Sequence, residues 1–316
     1  FQACFYTGAA TTFLLLFYIM LGLPHIKAEA SRSIVPTSGW SMSACLISLL
    51  LIAVLIMGPI CFVTLSFASI GNSVLIAFMA MVFAIIVFYA LRQKPEDKRK
   101  LIAFVILAIL SIGFWALYTL EPSLLTLFIK NSVDRTFFGA TIPPSTFYGL
   151  DPFFILVLGS LFAWLWVRLR RKQKDPTLPT KFALSLFSMT AGFGCLALLL
   201  HVFGLAHKLS SFWVIFAYIF LTIGELLIGP IGQSMVGRLS PDRLEGVLMG
   251  TWQMTTGAAA AISGYLANWG AIPKAAHTLA SQNAVYSHAF IKISATTLVM
   301  GLIALILIPV IKKTIR

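Results

Sequence analysis

From Ser33 to Leu91 the chain carries no Asp, Glu, Lys or Arg, and no other feature restricts its fold as strongly. An apolar helix crosses a hydrocarbon core of about 30 Å with about 20 residues, so this run is long enough to cross twice. Four more charge-free runs follow, Leu101 to Leu120, Phe182 to His207, Gly246 to Pro273 and Ile293 to Ile311. Inside lipid every backbone N–H and C=O needs an internal partner, which continuous apolar runs obtain as helices. Only 10% of the residues are charged and the mean hydropathy is +0.95, whereas soluble domains carry roughly a quarter charged residues. The chain reads as an all-α membrane protein whose apolar runs are spans, not signal peptides.

Turn and charge clusters divide it into about nine transmembrane helices, at 3–24, 42–66, 70–91, 101–129, 152–168, 182–203, 212–237, 246–268 and 289–311. The long run splits at "SFASIGNS", residues 66–73, which makes 42–91 a helical hairpin. Pro59, Pro122 and Pro230 fall inside predicted helices, where each removes a backbone hydrogen bond and tends to kink the axis. The chain opens on Phe1 within an apolar run, so an earlier part of a longer protein is expected to be missing.

Short cytoplasmic loops hold an excess of Lys and Arg, and the alternation of nine helices sorts the cations accordingly. One side collects Lys27 and Arg32; Arg92, Lys94, Lys98, Arg99 and Lys100; Arg168, Arg170, Arg171, Lys172, Lys174 and Lys181; Arg238 and Arg243; and Lys312, Lys313 and Arg316. That is 18 of 23, against Lys130, Arg135, Lys208, Lys274 and Lys292 opposite. The C-terminus is therefore expected in the cytoplasm, and the net charge of +13 calls for no nucleic-acid partner.

Cys4, Cys45, Cys61 and Cys195 sit in apolar spans without paired spacing, and His25, His201, His207, His277 and His288 lack ligand-like partners at i+3 or i+4. No metal site, nucleophile elbow or phosphate loop is expected. The acids say more. Glu29, Glu96, Asp97, Asp175, Asp242 and Glu245 fall in loops on the basic side, and Asp134 in a loop opposite. Glu121, Asp151 and Glu225 remain. Asp151 precedes Pro152 at a helix start, where a cap and a site are equally good readings. Glu225 has no such explanation: it lies midway along 212–237 with no Lys or Arg within two turns on its helix. An acid at that depth is costly and marks a functional site by default. Charged, it needs a cation from another helix or a ligand; neutral, it is poised to carry a proton.

The stretch 223–268, "IGELLIGPIGQSMVGRLSPDRLEGVLMGTWQMTTGAAAAISGYLAN", resembles the tenth and eleventh helices of the proton-dependent oligopeptide transporters of the major facilitator superfamily. The resemblance rests on Gly-Glu-Leu at 224–226, Ser-Pro-x-Arg at 240–243 and Met-Gly-x-Trp at 249–252. "FWALYTLEPSLLTLFIKNSVDR" (114–135) and "STFYGLDPFFILVLGSLFAWLW" (145–166) resemble the seventh and eighth helices, in order, and the likeness runs over roughly 100–311. It implies a C-terminal six-helix bundle at 100–316, a linker with the inserted hairpin of bacterial members at 27–99, and the last helix of an N-terminal bundle at 1–26. The first five helices are expected to be absent.

By this resemblance the function is proton-coupled symport of di- and tripeptides across a bacterial inner membrane by alternating access, with no enzymatic step. The implied partners are the peptide, protons as coupling ion with no other cofactor, the lipid bilayer and the missing N-terminal half. The same fold also serves amino acids, amine-bearing drugs or other small metabolites, and a non-transporting scaffold is the alternative of another class. Glu225 matches the glutamate that receives the peptide's ammonium, and Trp115 and Trp252 match aromatic residues of the pocket. Asp151 stands where the family usually has Asn, adding an acid near the ammonium site. The family's seventh-helix coupling Glu corresponds here to Thr119. Glu121, two residues on, is turned about 200° on a straight helix and faces elsewhere unless Pro122 distorts the turn. Glu225, Asp151 and Glu121 are thus the proton-coupling candidates.

Overall fold

The computed structural model describes residues 67–315, apart from 138, 242 and 275, together with Leu55. The expected helices 3–24 and 42–66, with Pro59, Cys4, Cys45, Cys61 and His25, lie outside the described residues.

Seven long helices follow one another: α1 (Ala68–Leu91), α2 (Pro95–Tyr118), α5 (Leu150–Arg171), α6 (Leu178–Val202), α7 (Ser211–Leu239), α8 (Glu245–Leu266) and α9 (Leu279–Ile315). Between α2 and α5 lie a π-helical turn (Glu121–Leu125), α3 (Thr126–Ser132) and α4 (Pro144–Tyr148). The connections hold β1 (Val133–Asp134), β2 (Thr136–Phe137), β3 (Ala140–Thr141) and β4 (Leu209–Ser210). β1 pairs in parallel with β4, and β2 and β3 form a hairpin.

Each long helix falls where an apolar run predicts one, and the ends differ for local reasons. α9 begins at Leu279, ten residues before the expected 289, where Gln282 and Asn283 donate to loop carbonyls and Ser287 bonds a neighbouring helix. Asn283 donates to the carbonyls of Leu205 and His207, and Ser287 meets His201 Nε2 at 3.1 Å. Among the described residues six helical stretches are long and apolar enough to cross a membrane. α8 is not one of them: its 22 residues include Thr251, Gln253, Thr255 and Thr256, and it packs on α2 and α1.

The core is built where α9 lies along α6 and α6 along α7, with α2 against α8 and α9. Phe104, Phe114, Phe182, Phe193, Tyr286 and Phe290 are fully buried there. Phe128 of α3 packs edge-on against Tyr286 and Phe290, at 5.3 and 5.0 Å between ring centres, in the geometry aromatic quadrupoles favour. α1 and α5 instead turn large apolar side chains outward, such as Ile85, Phe88, Leu156 and Trp164, as lipid-facing helices do.

Candidate functional site

Tyr218, Thr222 and Glu225 recur at i, i+4 and i+7 on α7, which aligns them on one face. They form a polar stripe on a helix that is otherwise mostly apolar. α7 reaches its neighbours closely just here. A Cβ on Gly224 would lie 3.0 Å from the Ser185 carbonyl oxygen of α6 and 3.3 Å from the Phe114 ring of α2, so glycine is what lets the three helices meet beside Glu225.

α2 supplies the next groups. The hydroxyl of its last residue, Tyr118, donates to Glu225 Oε2 at 2.6 Å. Trp115 and Phe114 pack on the Tyr118 ring, each at 5.5 Å between centres, which orients that hydroxyl. α5 supplies Asp151, 9% exposed, whose Oδ1 accepts from Thr222 Oγ1 at 2.8 Å. Asp151 is in the first turn, but Gly149 is the cap position and makes no side-chain cap bond. The cap reading therefore gives way to a bond across to α7, which sets Asp151 beside Glu225.

Glu121 is where the expected direction has to be corrected. Pro122 has no N–H to offer the Tyr118 carbonyl four residues back, and the chain answers with a π-helical turn over Glu121–Leu125. Glu121 enters this turn three residues beyond Tyr118, on the same side of the helix, and faces Asp151, Glu225 and the hydroxyls of Tyr118 and Tyr218; the separation of about 200° places it away from Thr119 and not from the cluster. Glu121 is 1% exposed, and neither carboxyl oxygen makes a hydrogen bond of ordinary geometry among the described residues, although the hydroxyls of Tyr118 and Tyr218 lie close enough to interact with it. The Tyr218 hydroxyl, equally enclosed, likewise has Glu121 nearby but no hydrogen bond of ordinary geometry. Thr119 cannot stand in for an acid, since its hydroxyl donates to its own helix at the Trp115 carbonyl, 2.8 Å away.

The three carboxyl groups thus gather from the π-turn, α5 and α7, with Tyr118, Tyr218 and Thr222 as their lining and half-exposed Tyr148 at the edge. Among the described residues the ion pairs are Lys100 with Glu96 and Lys181 and Arg170 with Asp175, so no basic side chain neutralises the cluster. Such an arrangement can receive a cation at Glu225, the half-buried member, and carry a proton on the enclosed ones. Trp115 belongs to this wall. Trp252 sits elsewhere, against Phe182 and over Gly232, seven residues or about 10 Å along α7 from Glu225.

Tyr118, Thr222 and Tyr218 escaped the reading of the sequence. The 218/222/225 spacing on α7 was the available signal for two of them, and the i, i+3, i+6 series Trp115, Tyr118, Glu121 for the third.

A model of the POT family matches residues 13–286. The chain is 33% identical over 242 residues to dipeptide and tripeptide permease B of Edwardsiella piscicida, covering 76% of this chain and 49% of that protein. It is 32% identical over 269 residues to the permease of the same name in Yersinia enterocolitica, covering 85% and 55%. Its fold is similar to the crystal structure of a mutant peptide transporter POT in complex with alafosfalin. There the TM-score is 0.68 and the identity 26%, over 88% of this chain and 54% of that one. The chain spans about half the length of these relatives.

Proposed function

Because the chain belongs to the POT family, we propose that its bundle forms the amine-binding wall of a proton-coupled di- and tripeptide symporter. Glu225 is the counter-charge for the peptide's N-terminal ammonium. The observation that carries this reading is the set of three carboxyl groups with no basic partner among the described residues, of which Glu225 alone is partly exposed and held in place by Tyr118. An ammonium brought there exchanges water for a charge-assisted bond, the stronger kind of hydrogen bond. Trp115 offers a broad face beside it for varied side chains.

Glu121 is the acid we assign to the coupled proton. Enclosing a neutral carboxyl costs little beside enclosing a carboxylate, which costs several kcal/mol when unpaired; a site so closed holds its proton until movement of the bundle opens it. Asp151, tied to Thr222, links the two acids. Alternating access then rests on rocking of this bundle against a second one about a midplane site. The setting we infer is a bacterial inner membrane, with the basic ends of the helices, and hence the C-terminus, on the cytoplasmic side.

Uptake of labelled dialanine by the full-length protein in proteoliposomes, driven by an inward proton gradient, tests the reading with wild type beside Glu225→Gln. Accumulation by wild type and its loss through weaker binding in the variant is the expected result. No accumulation by folded wild type leaves the fold and overturns the cargo, favouring amino acids or another amine-bearing metabolite.

A further inference from the structure

A polar cavity opens at the other end of α7. Ser240 lies fifteen residues beyond Glu225, about 22 Å along the helix, and the cavity it lines measures about 540 Å³. Tyr89 at the end of α1, Lys94, Asp97 and Lys100 at the start of α2, and Arg243 in the α7–α8 connection complete its main lining.

The groups there are donors in excess. Lys100 is engaged by Glu96 at 2.8 Å. Lys94 and Arg243 have no hydrogen-bond or ion-pair partner among the described residues, and the buried Ser240 hydroxyl has none either. α2 starts at Pro95 without a side-chain cap, leaving first-turn N–H groups free. Among the described lining residues three cations face one acid, Asp97. Two unpaired cationic heads, an unpartnered buried hydroxyl and a helix start together suit an oxyanion with several acceptor oxygens, which is the chemistry of a phosphate ester. α1 indicates its source. Ile85, Phe88 and Leu91 are each more than half exposed just before the cavity, and Arg92 lies over the Phe88 ring at 4.2 Å. An apolar lane therefore runs from the cavity into the hydrocarbon.

We propose that this cavity binds the phosphate of an anionic phospholipid headgroup through Lys94, Arg243 and Ser240, with the acyl chains lying along α1. The site is independent of the acid cluster and of the cargo. Native mass spectrometry of the full protein in detergent, titrated with phosphatidylglycerol, phosphatidylcholine or inorganic phosphate, tests it. Each cation near an anionic headgroup contributes about fivefold in affinity. Lys94→Ala with Arg243→Ala should therefore weaken phosphatidylglycerol binding about 25-fold, whereas Arg171→Ala with Lys172→Ala, which removes the same charge from exposed positions outside the cavity, leaves it unchanged. The charge-preserving pair Lys94→Arg with Arg243→Lys should retain binding, which separates lost recognition from lost folding. Equal weakening by both alanine pairs overturns the proposal, as does the absence of any preference over phosphatidylcholine together with no phosphate binding. Phosphate binding that the first pair abolishes, without lipid preference, overturns the lipid source and keeps the oxyanion site.

Discussion

Removing the charge of Glu225 and removing the charge of the ligand should be the same perturbation made from two sides. Glu225→Gln keeps the shape of the side chain and an oxygen for the Tyr118 hydroxyl, now 2.6 Å from Oε2, so the wall stays in place and only the charge is lost. An ammonium about 4 Å from a carboxylate gains about 4 kcal/mol at an effective dielectric constant of 20, and desolvation takes back part of it. A net loss of about 2–4 kcal/mol, or about 30- to 900-fold in Kd, is expected for dialanine. N-acetylation of the peptide should cost wild type a similar factor. The decisive quantity is the non-additivity: titration calorimetry of both ligands against both proteins closes a thermodynamic cycle. Acetylation of the peptide should then cost the Gln variant less than about threefold. If it costs wild type and variant the same factor, the amine does not meet Glu225 and the assignment is wrong.

Three further outcomes follow from the same geometry. Glu121→Gln should leave dialanine binding and peptide exchange across the membrane within about twofold while abolishing proton-driven accumulation; measured accumulation equal to wild type would remove Glu121 from coupling. Thr222→Val takes away the donor to a buried carboxylate and should lower stability by about 1–3 kcal/mol, read as thermal unfolding in detergent, and an unchanged midpoint would mean that Asp151 finds another partner. Gly224→Val drives a branched side chain against the Ser185 carbonyl oxygen and the Phe114 ring, and should cost about 1–3 kcal/mol and weaken dialanine binding, because the α2–α7 contact carries the Tyr118–Glu225 bond.

How far the sequence reaches into this protein is best judged from its acids. Glu225 announced itself, because a lone carboxylate in an apolar run is conspicuous by composition alone. Asp151 was visible as a residue but divided between cap and site, and the choice depended on Thr222 of another helix. Glu121 was visible too, yet its direction was reckoned from Thr119, whereas the structure sets it on the face of Tyr118, three residues back. Trp252 shows the reverse case. A motif picked it out, but Gly232 and Phe182 receive it away from the acids.

By itself, then, the sequence determined the class of the protein, the course of the seven long described helices to within several residues at most ends, the basic loops and the presence of acids at depth. Those are properties of single segments, governed by hydropathy and by turn chemistry that act locally along the chain. Tertiary structure alone decided which acids meet, which hydroxyls hold them and which cations are left unpaired. The reason is that these contacts join residues as far apart as Tyr118 and Glu225, whose meeting depends on the close approach allowed at Gly224, and that approach is not encoded in the apolar pattern of any one helix.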